Sequence, residues 1–157
     1  MAFVHLHNRT QYSILDGAMK PKDLLKRAAE LEMPAVAVTD TCNLYCAVTL
    51  YKEAKNYNIK PIFGSEIWIW PEGIEQFAAR NAAASTKDSQ SPKKGTRKGE
   101  GKGSSSASVE DLPDGGWHIC FLVENEHGYH NLSKLITTAI YDGMHYRPRI
   151  DFELLRK

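Results

Sequence analysis

The apolar residues of the first part of the chain follow two different periods. The short, nearly all-apolar run at Ala35–Thr39 is typical of a strand that is buried on both faces of a parallel sheet, and a further strand is predicted at Pro61–Trp70. Between them, apolar residues recur at helical spacing, which predicts helices over Lys22–Leu31 and from about Leu44 to Tyr57. Pro21 stands where the first turn of a helix tolerates proline.

Three more elements are predicted at the two ends of the chain: strands at Phe3–His7 and Trp117–Val123, and a helix at His127–Tyr141. Strands that are separated by helices of this length imply right-handed crossovers, and therefore an α/β fold with a parallel sheet or barrel. Without the long loop described below, about 110 residues remain, whereas a closed (β/α) barrel usually takes ~200 or more. That number suits a small open sheet, although the chain can also be a fragment of something larger.

Residues 73–116 differ from the rest of the chain, because they are rich in alanine, serine, lysine and glycine. So little of this segment can be buried that folding would not offset the entropy of ordering it. The composition predicts a disordered loop inserted into the domain. A solvated linker is the interpretation that we favour; the alternative is a loose contact with the DNA backbone through four basic residues, Lys93, Lys94, Arg97 and Lys98.

The overall composition narrows the choice of protein class only modestly. The formal net charge is +1, and 42% of the residues are hydrophobic, which is ordinary for a globular domain. No apolar run approaches the ~20 residues of a bilayer span, and the first residues do not resemble a secretory signal. The three cysteines form no CxxC pair. These features predict a reduced cytoplasmic protein with no membrane partner.

Polar residues recur at the carboxyl ends of the predicted strands, where parallel α/β folds collect their reactive groups. Because side chains alternate along a strand, His5 and His7 are expected on one face, about 7 Å apart. That spacing lets two imidazoles share one metal ion or bind two adjacent ions. The other candidates at this rim are Asp16, Asp40, Glu66 and His118.

Each of these residues also has an ordinary interpretation. A single histidine or aspartate at a strand end is often a helix cap or a solvated group, and Asp40 could simply begin the next turn. The recurrence on successive strands favours a site of metal-binding ancestry. The remaining histidines (His127, His130 and His145) are predicted to be surface or packing residues.

At these residues the sequence resembles a known family. Val4–His7 followed by Tyr12–Ala18 is similar to the opening of the PHP (polymerase and histidinol phosphatase) domain of bacterial DNA polymerase III α subunits. The resemblance continues through four further segments and covers almost the whole chain outside the loop. These segments are Met33–Asp40, Lys60–Glu66, and Gly128–Leu132 with Tyr146–Asp151.

The resemblance implies a distorted seven-stranded (β/α) barrel that holds up to three metal ions, often zinc or manganese, when its site is intact. This chain would form the N-terminal portion of that barrel, as an incomplete domain that spans residues 1–157. The resemblance places His5, His7, Asp16, Asp40, Glu66 and His118 on or beside the ligand positions. In metal-binding members His-Gly follows the Thr-Asp pair, whereas Thr41 and Cys42 follow it here. A neutral hydroxyl is a poor metal ligand, and Cys42 is expected to point elsewhere. The expected site is therefore degenerate or partial, with no residue assigned as catalytic.

The resemblance also implies what the chain does. The parent protein would be a DNA-directed DNA polymerase, a nucleotidyltransferase of DNA replication, whose polymerase site lies outside these residues. The preferred hypothesis is a scaffold that braces the rest of the α subunit and docks the proofreading exonuclease subunit, with DNA contacted through the parent protein. The alternative is an active metal-dependent phosphoesterase or 3′–5′ exonuclease. A stand-alone phosphatase and a translesion-type paralogue are less favoured, the latter because of Asp16-Gly17 and Arg147–Asp151.

Overall fold

The computed structural model describes residues 3–70, 117–144 and 147–156. The predicted insert at 73–116, with its basic residues, and His145 lie outside the described residues. The helices and strands predicted between residues 22 and 141 are confirmed, with ends that shift by at most three residues. In chain order the elements are α1 (Pro21–Glu30), β1 (Ala35–Thr41), α2 (Ala47–Tyr57), β2 (Lys60–Ile69), β3 (Trp117–Leu122), α3 (Glu126–Tyr141), β4 (Arg149–Ile150) and α4 (Phe152–Arg156).

The strands form one mixed sheet in which β2 is central. Strands β1 and β4 pair with β2 in parallel, whereas β3 pairs with it antiparallel. The expectation of an entirely parallel sheet is therefore wrong for β3. The crossover rule applies to β1 and β2, which a helix connects, but no predicted helix separates β2 from β3. The described strands make an open sheet; their pairing does not close a barrel.

The predicted strand at Phe3–His7 is wrong, because these residues form no regular strand. The segment nevertheless runs beside β1: Ala37 N donates to His5 O at 2.9 Å, and Thr39 N donates to Asn8 O at 2.8 Å. The two acceptors, His5 and Asn8, are three residues apart in the chain, whereas the two donors on β1, Ala37 and Thr39, are only two residues apart. The extra residue acts like a β-bulge and interrupts the alternation on which the His5–His7 prediction depended.

Two apolar clusters hold helices against the sheet. One packs α1 and α2 over β1 through buried residues that include Leu25, Leu50 and Val36. The other packs α3 over β2 and β4 and includes Ile67 and Ile136. This packing leaves the carboxyl end of β1 and the middle of β2 next to the N-terminal segment. Among the described helices, none combines the length and apolarity that crossing a membrane requires.

A tight loop connects the N-terminal segment to α1. Ser13 O accepts from Asp16 N at 3.0 Å and from Gly17 N at 2.8 Å. A Cβ atom on Gly17 would lie 2.2 Å from the carbonyl oxygen of Thr10, so only glycine permits this close approach. The loop thereby brings Thr10 and Ser13 to the end of β1.

Candidate functional site

Glu66, in the middle of β2, is the centre of the candidate site. Its side chain is only 4% exposed, and both carboxylate oxygens accept from Arg9. Arg9 Nη2 lies 2.8 Å from Oε1 and 2.7 Å from Oε2, and Arg9 Nε lies 3.1 Å from Oε2. Charge-assisted contacts of this forked kind are among the strongest hydrogen bonds in proteins.

Two histidines contact the same carboxylate. His7 Nε2 lies 2.8 Å from Oε2 of Glu66, and His118 Nδ1 contacts Oε1. His118 reaches it from β3, where it pairs with Trp68 two residues beyond Glu66 on the same face. The His118 ring lies 3.6 Å from the Trp68 ring, centroid to centroid. We call His7, Arg9, Glu66 and His118 the Glu66 cluster.

Two members of the cluster, Glu66 and Arg9, stabilise each other's charged form. Burial alone would raise the pKa of Glu66, but hydrogen bonds from Arg9, His118 and His7 outweigh it and lower the pKa to about 2. The hydrogen bond to Glu66 in turn raises the pKa of Arg9 above its usual value, and the charge of Asp16 adds to this effect. At neutral pH the site therefore holds an ionised carboxylate and a guanidinium cation side by side.

Asp40 lies outside the Glu66 cluster because of the register of the sheet. Asp40 pairs with Ser65, whereas Glu66 pairs with Thr41. Since side chains alternate along each strand, Asp40 and Glu66 project from opposite faces of the sheet. The two carboxylates therefore do not converge on one ion.

The Asp40 carboxylate is instead bound by the loop that precedes α1. It is 1% exposed and accepts from Thr10 N at 2.6 Å, Thr10 Oγ1 at 2.7 Å and Ser13 Oγ at 2.6 Å. These three hydrogen bonds offset the free-energy cost of burying the carboxylate away from water. The arrangement fixes the loop to the end of β1.

The two other predicted residues lie at or beyond the edge of the cluster. Asp16 is exposed, and its Oδ2 lies 3.8 Å from Arg9 Nη1. His5 is exposed and packs edge-on against Phe3, with ring centroids 4.7 Å apart. Of the six predicted residues, the structure brings His7, Glu66 and His118 together, places Asp16 beside them, and separates His5 and Asp40.

The residues that follow Asp40 offer little to a metal ion. Burial raises the pKa of the Cys42 thiol to about 11, so the thiolate that binds metal is disfavoured. Its Sγ lies 3.5 Å from the carbonyl oxygen of Pro148 and belongs to the apolar cluster beneath α3. The Thr41 hydroxyl is in register with Glu66 and has no hydrogen-bond partner among the described residues, but it is neutral.

The divalent metal that the resemblance implies does not fit the described side chains. Within residues 3–70, 117–144 and 147–156, no three histidine, cysteine, aspartate or glutamate side chains form a cluster suited to an ion. Both oxygens of Glu66 already accept from Arg9, and an arginine stays charged at any relevant pH. We therefore derive no chemical step through a metal ion at this site.

The sequence interpretation missed Arg9, Thr10 and Ser13, which supply most of the donors to the two buried carboxylates. A signal was present for Arg9, because residues two positions apart in an extended segment lie on one face and Arg9 follows His7 by two residues. An arginine in that position predicts an ion pair with a carboxylate. Thr10 and Ser13 carried no comparable signal, since their role depends on the loop that the fold creates.

Comparison with known proteins places the chain in a family. The family model described as "PHP domain" matches residues 5–157. The DNA polymerase III α subunit of Thermus aquaticus is 38% identical over 159 residues, which is 100% of this chain and 11% of that protein. The α subunit of Borreliella burgdorferi is 36% identical over 155 residues, with 99% of this chain and 11% of that protein covered.

A solved structure is also similar over part of the chain. It is described as a metal-dependent phosphoesterase from Bifidobacterium adolescentis, with a TM-score of 0.38 and 25% identity, covering 44% of this chain and 23% of that one. Because the match covers less than half of this chain, it does not indicate what activity this chain has.

The fold and the matched residues define an α/β domain, and the chain belongs to the PHP domain family. More particularly, it is homologous to the N-terminal region of DNA polymerase III α subunits. It spans about a tenth of the length of the curated relatives that it matches.

Proposed function

We propose that this chain is a structural PHP domain of a replicative DNA polymerase III α subunit. In this role it braces the polymerase portion of the subunit and offers a docking surface to the proofreading exonuclease. Polymerisation and DNA binding belong to the parent protein. The similarity along the whole chain to α subunits supports the assignment to replication.

One observation favours a structural role over hydrolysis: protein donors already bind the two buried carboxylates. Asp40 accepts from Thr10 and Ser13, and Glu66 accepts from Arg9. Hydrolysis of a phosphoester at such a rim would need free carboxylates to hold ions that activate water and neutralise the leaving oxygen. Here the same side chains fasten the N-terminal segment to the sheet.

The alternative, an active phosphoesterase or 3′–5′ exonuclease, is tested by hydrolysis. The purified protein is incubated with a chromogenic phosphodiester and either manganese or zinc. We expect no metal-dependent turnover above that of the His7→Ala variant. Turnover that His7→Ala abolishes, in a variant that keeps its circular dichroism spectrum, would contradict the structural role.

The docking role is tested on the full-length α subunit that contains this domain. Binding to the cognate exonuclease subunit is measured by surface plasmon resonance with the intact α subunit and with a form from which the PHP domain has been deleted. We expect the deletion to weaken binding, provided that it retains polymerase activity as a sign of correct folding. Equal binding by the two forms would contradict docking through this domain.

A further inference from the structure

We infer that the guanidinium of Arg9 is a built-in counter-ion that occupies the cation position of the Glu66 cluster and excludes divalent metal ions from it. The inference deepens the proposed structural role and rests on it. It assigns to one side chain the charge balance that a bound ion would otherwise supply.

The first support is geometric. Arg9 Nη2 lies 2.7 and 2.8 Å from the two oxygens of Glu66, which is the bridging position that a cation bound to both oxygens would take. Arg9 Nε adds a third contact at 3.1 Å. A metal ion could bind this carboxylate only after it had displaced the guanidinium of Arg9 from the carboxylate oxygens.

The second support is the kind of charge. A histidine can lose its proton and become a ligand, whereas arginine keeps its charge and has no acceptor. A divalent ion beside Glu66 would therefore meet a fixed positive charge only a few ångströms away. Repulsion at that distance in a partly buried site is large enough to change an affinity by on the order of 10-fold or more.

The third support is the way in which Arg9 is held. Its Nη1 lies 3.8 Å from Oδ2 of Asp16, so a second carboxylate lies on the other side of the guanidinium. Its side chain is 30% exposed, against 4% for Glu66. The cation is thus partly buried against a nearly inaccessible carboxylate and is held by two acidic side chains.

The experiment measures zinc binding by isothermal titration calorimetry, using zinc alone as the probe. It compares the wild type, Glu66→Gln, Arg9→Gln, Arg9→Leu, and the double variant Arg9→Gln with Glu66→Gln. The matched control is Arg27→Gln, which also removes an arginine from an ion pair, because Arg27 Nη1 lies 2.9 Å from Glu30 Oε2 on the exposed face of α1. Circular dichroism establishes that each variant is folded, and Arg9→Leu, which adds no metal ligand, provides a second variant if Arg9→Gln does not fold.

We expect one zinc site to appear, or to tighten by at least about tenfold, in the folded Arg9 variant. The gain should be lost in the double variant and be missing from Arg27→Gln. Stoichiometric zinc binding by the wild type that depends on Glu66 would overturn the inference, as would a folded Arg9 variant that gains nothing. Neither result depends on exonuclease docking, so the inference and the proposed function can fail separately.

Discussion

Thr10 and Asp40, thirty residues apart in the chain, are joined at two points. The backbone N–H of Thr10 donates to Oδ1 at 2.6 Å, and its hydroxyl donates to Oδ2 at 2.7 Å. Both groups of one residue thus bind both oxygens of one buried carboxylate. This contact fastens the loop before α1 to the end of β1, and it makes the strand-end aspartate a structural residue.

The first prediction concerns this contact. We expect Asp40→Asn to lower the free energy of unfolding by about 2–4 kcal/mol, because an amide nitrogen would face donors that now bind a charge. The measurement is urea denaturation followed by tryptophan fluorescence. Asp23→Asn, on the exposed face of α1, is the control and should change stability much less. Equal effects of the two substitutions would refute the structural role of Asp40.

The second prediction concerns pH. The folded pKa of Glu66 is about 2, below its ordinary value of about 4.3. The stabilisation from Glu66 is therefore complete above about pH 5 and is lost as the pH falls toward about 2, with a total of about 2–3 kcal/mol. We expect the stability of the wild type to fall more steeply over this window than that of Glu66→Gln. Parallel curves for the two proteins would argue against an ionised, arginine-bound Glu66.

The third prediction uses two glycines as a matched pair. Gly17→Ala should destabilise the protein by about 1–3 kcal/mol, because the new Cβ would lie 2.2 Å from Thr10 O. Gly128→Ala should be neutral or stabilising by up to about 1 kcal/mol, since its Cβ meets nothing closer than 3.8 Å in the first turn of α3. Thermal unfolding of both variants measures which is less stable. The prediction is contradicted if Gly128→Ala unfolds at a lower temperature than Gly17→Ala.

The fourth prediction concerns the cysteines. Cys42 and Cys46 are buried, and burial raises their pKa values to about 11 and about 12. Cys120 is exposed; partial burial raises its pKa too, but solvent reaches it. We expect iodoacetamide to label Cys120 first in the folded protein, as measured by peptide mass spectrometry over time. Labelling of Cys42 at the same rate would show that its thiol is accessible.

Much of the fold could be predicted from the sequence, because hydrophobic periodicity reports burial directly. The direction of β3 could not be predicted in this way, since the segment between β2 and β3 shows no helical pattern to which a crossover rule applies. The short elements β4 and α4 were also missed, because two strand residues and five helix residues are too few to establish a period.

The candidate site was predicted in part, for a physical reason. Glu66 and His118 meet because the adjacent strands β2 and β3 place same-face residues together. His7 reaches Glu66 from the irregular segment beside β1. Asp40 lies on the opposite face of the sheet, because it pairs with Ser65 and not with Glu66. His5 separates because the N-terminal segment carries an extra residue. One-residue shifts of this kind reverse the face of a side chain, and they leave no trace in composition or spacing.

The most direct test of the account is the NMR signal of the Arg9 Nε–H group, assigned with an Arg9→Lys variant and recorded with and without one equivalent of zinc. If Arg9 is the permanent counter-ion of Glu66, the signal stays at the same position and keeps its protection from solvent exchange when zinc is added. A signal that shifts or broadens until one equivalent is bound, together with the ring signals of His7 and His118, would show that a metal ion displaces the arginine and would contradict the account.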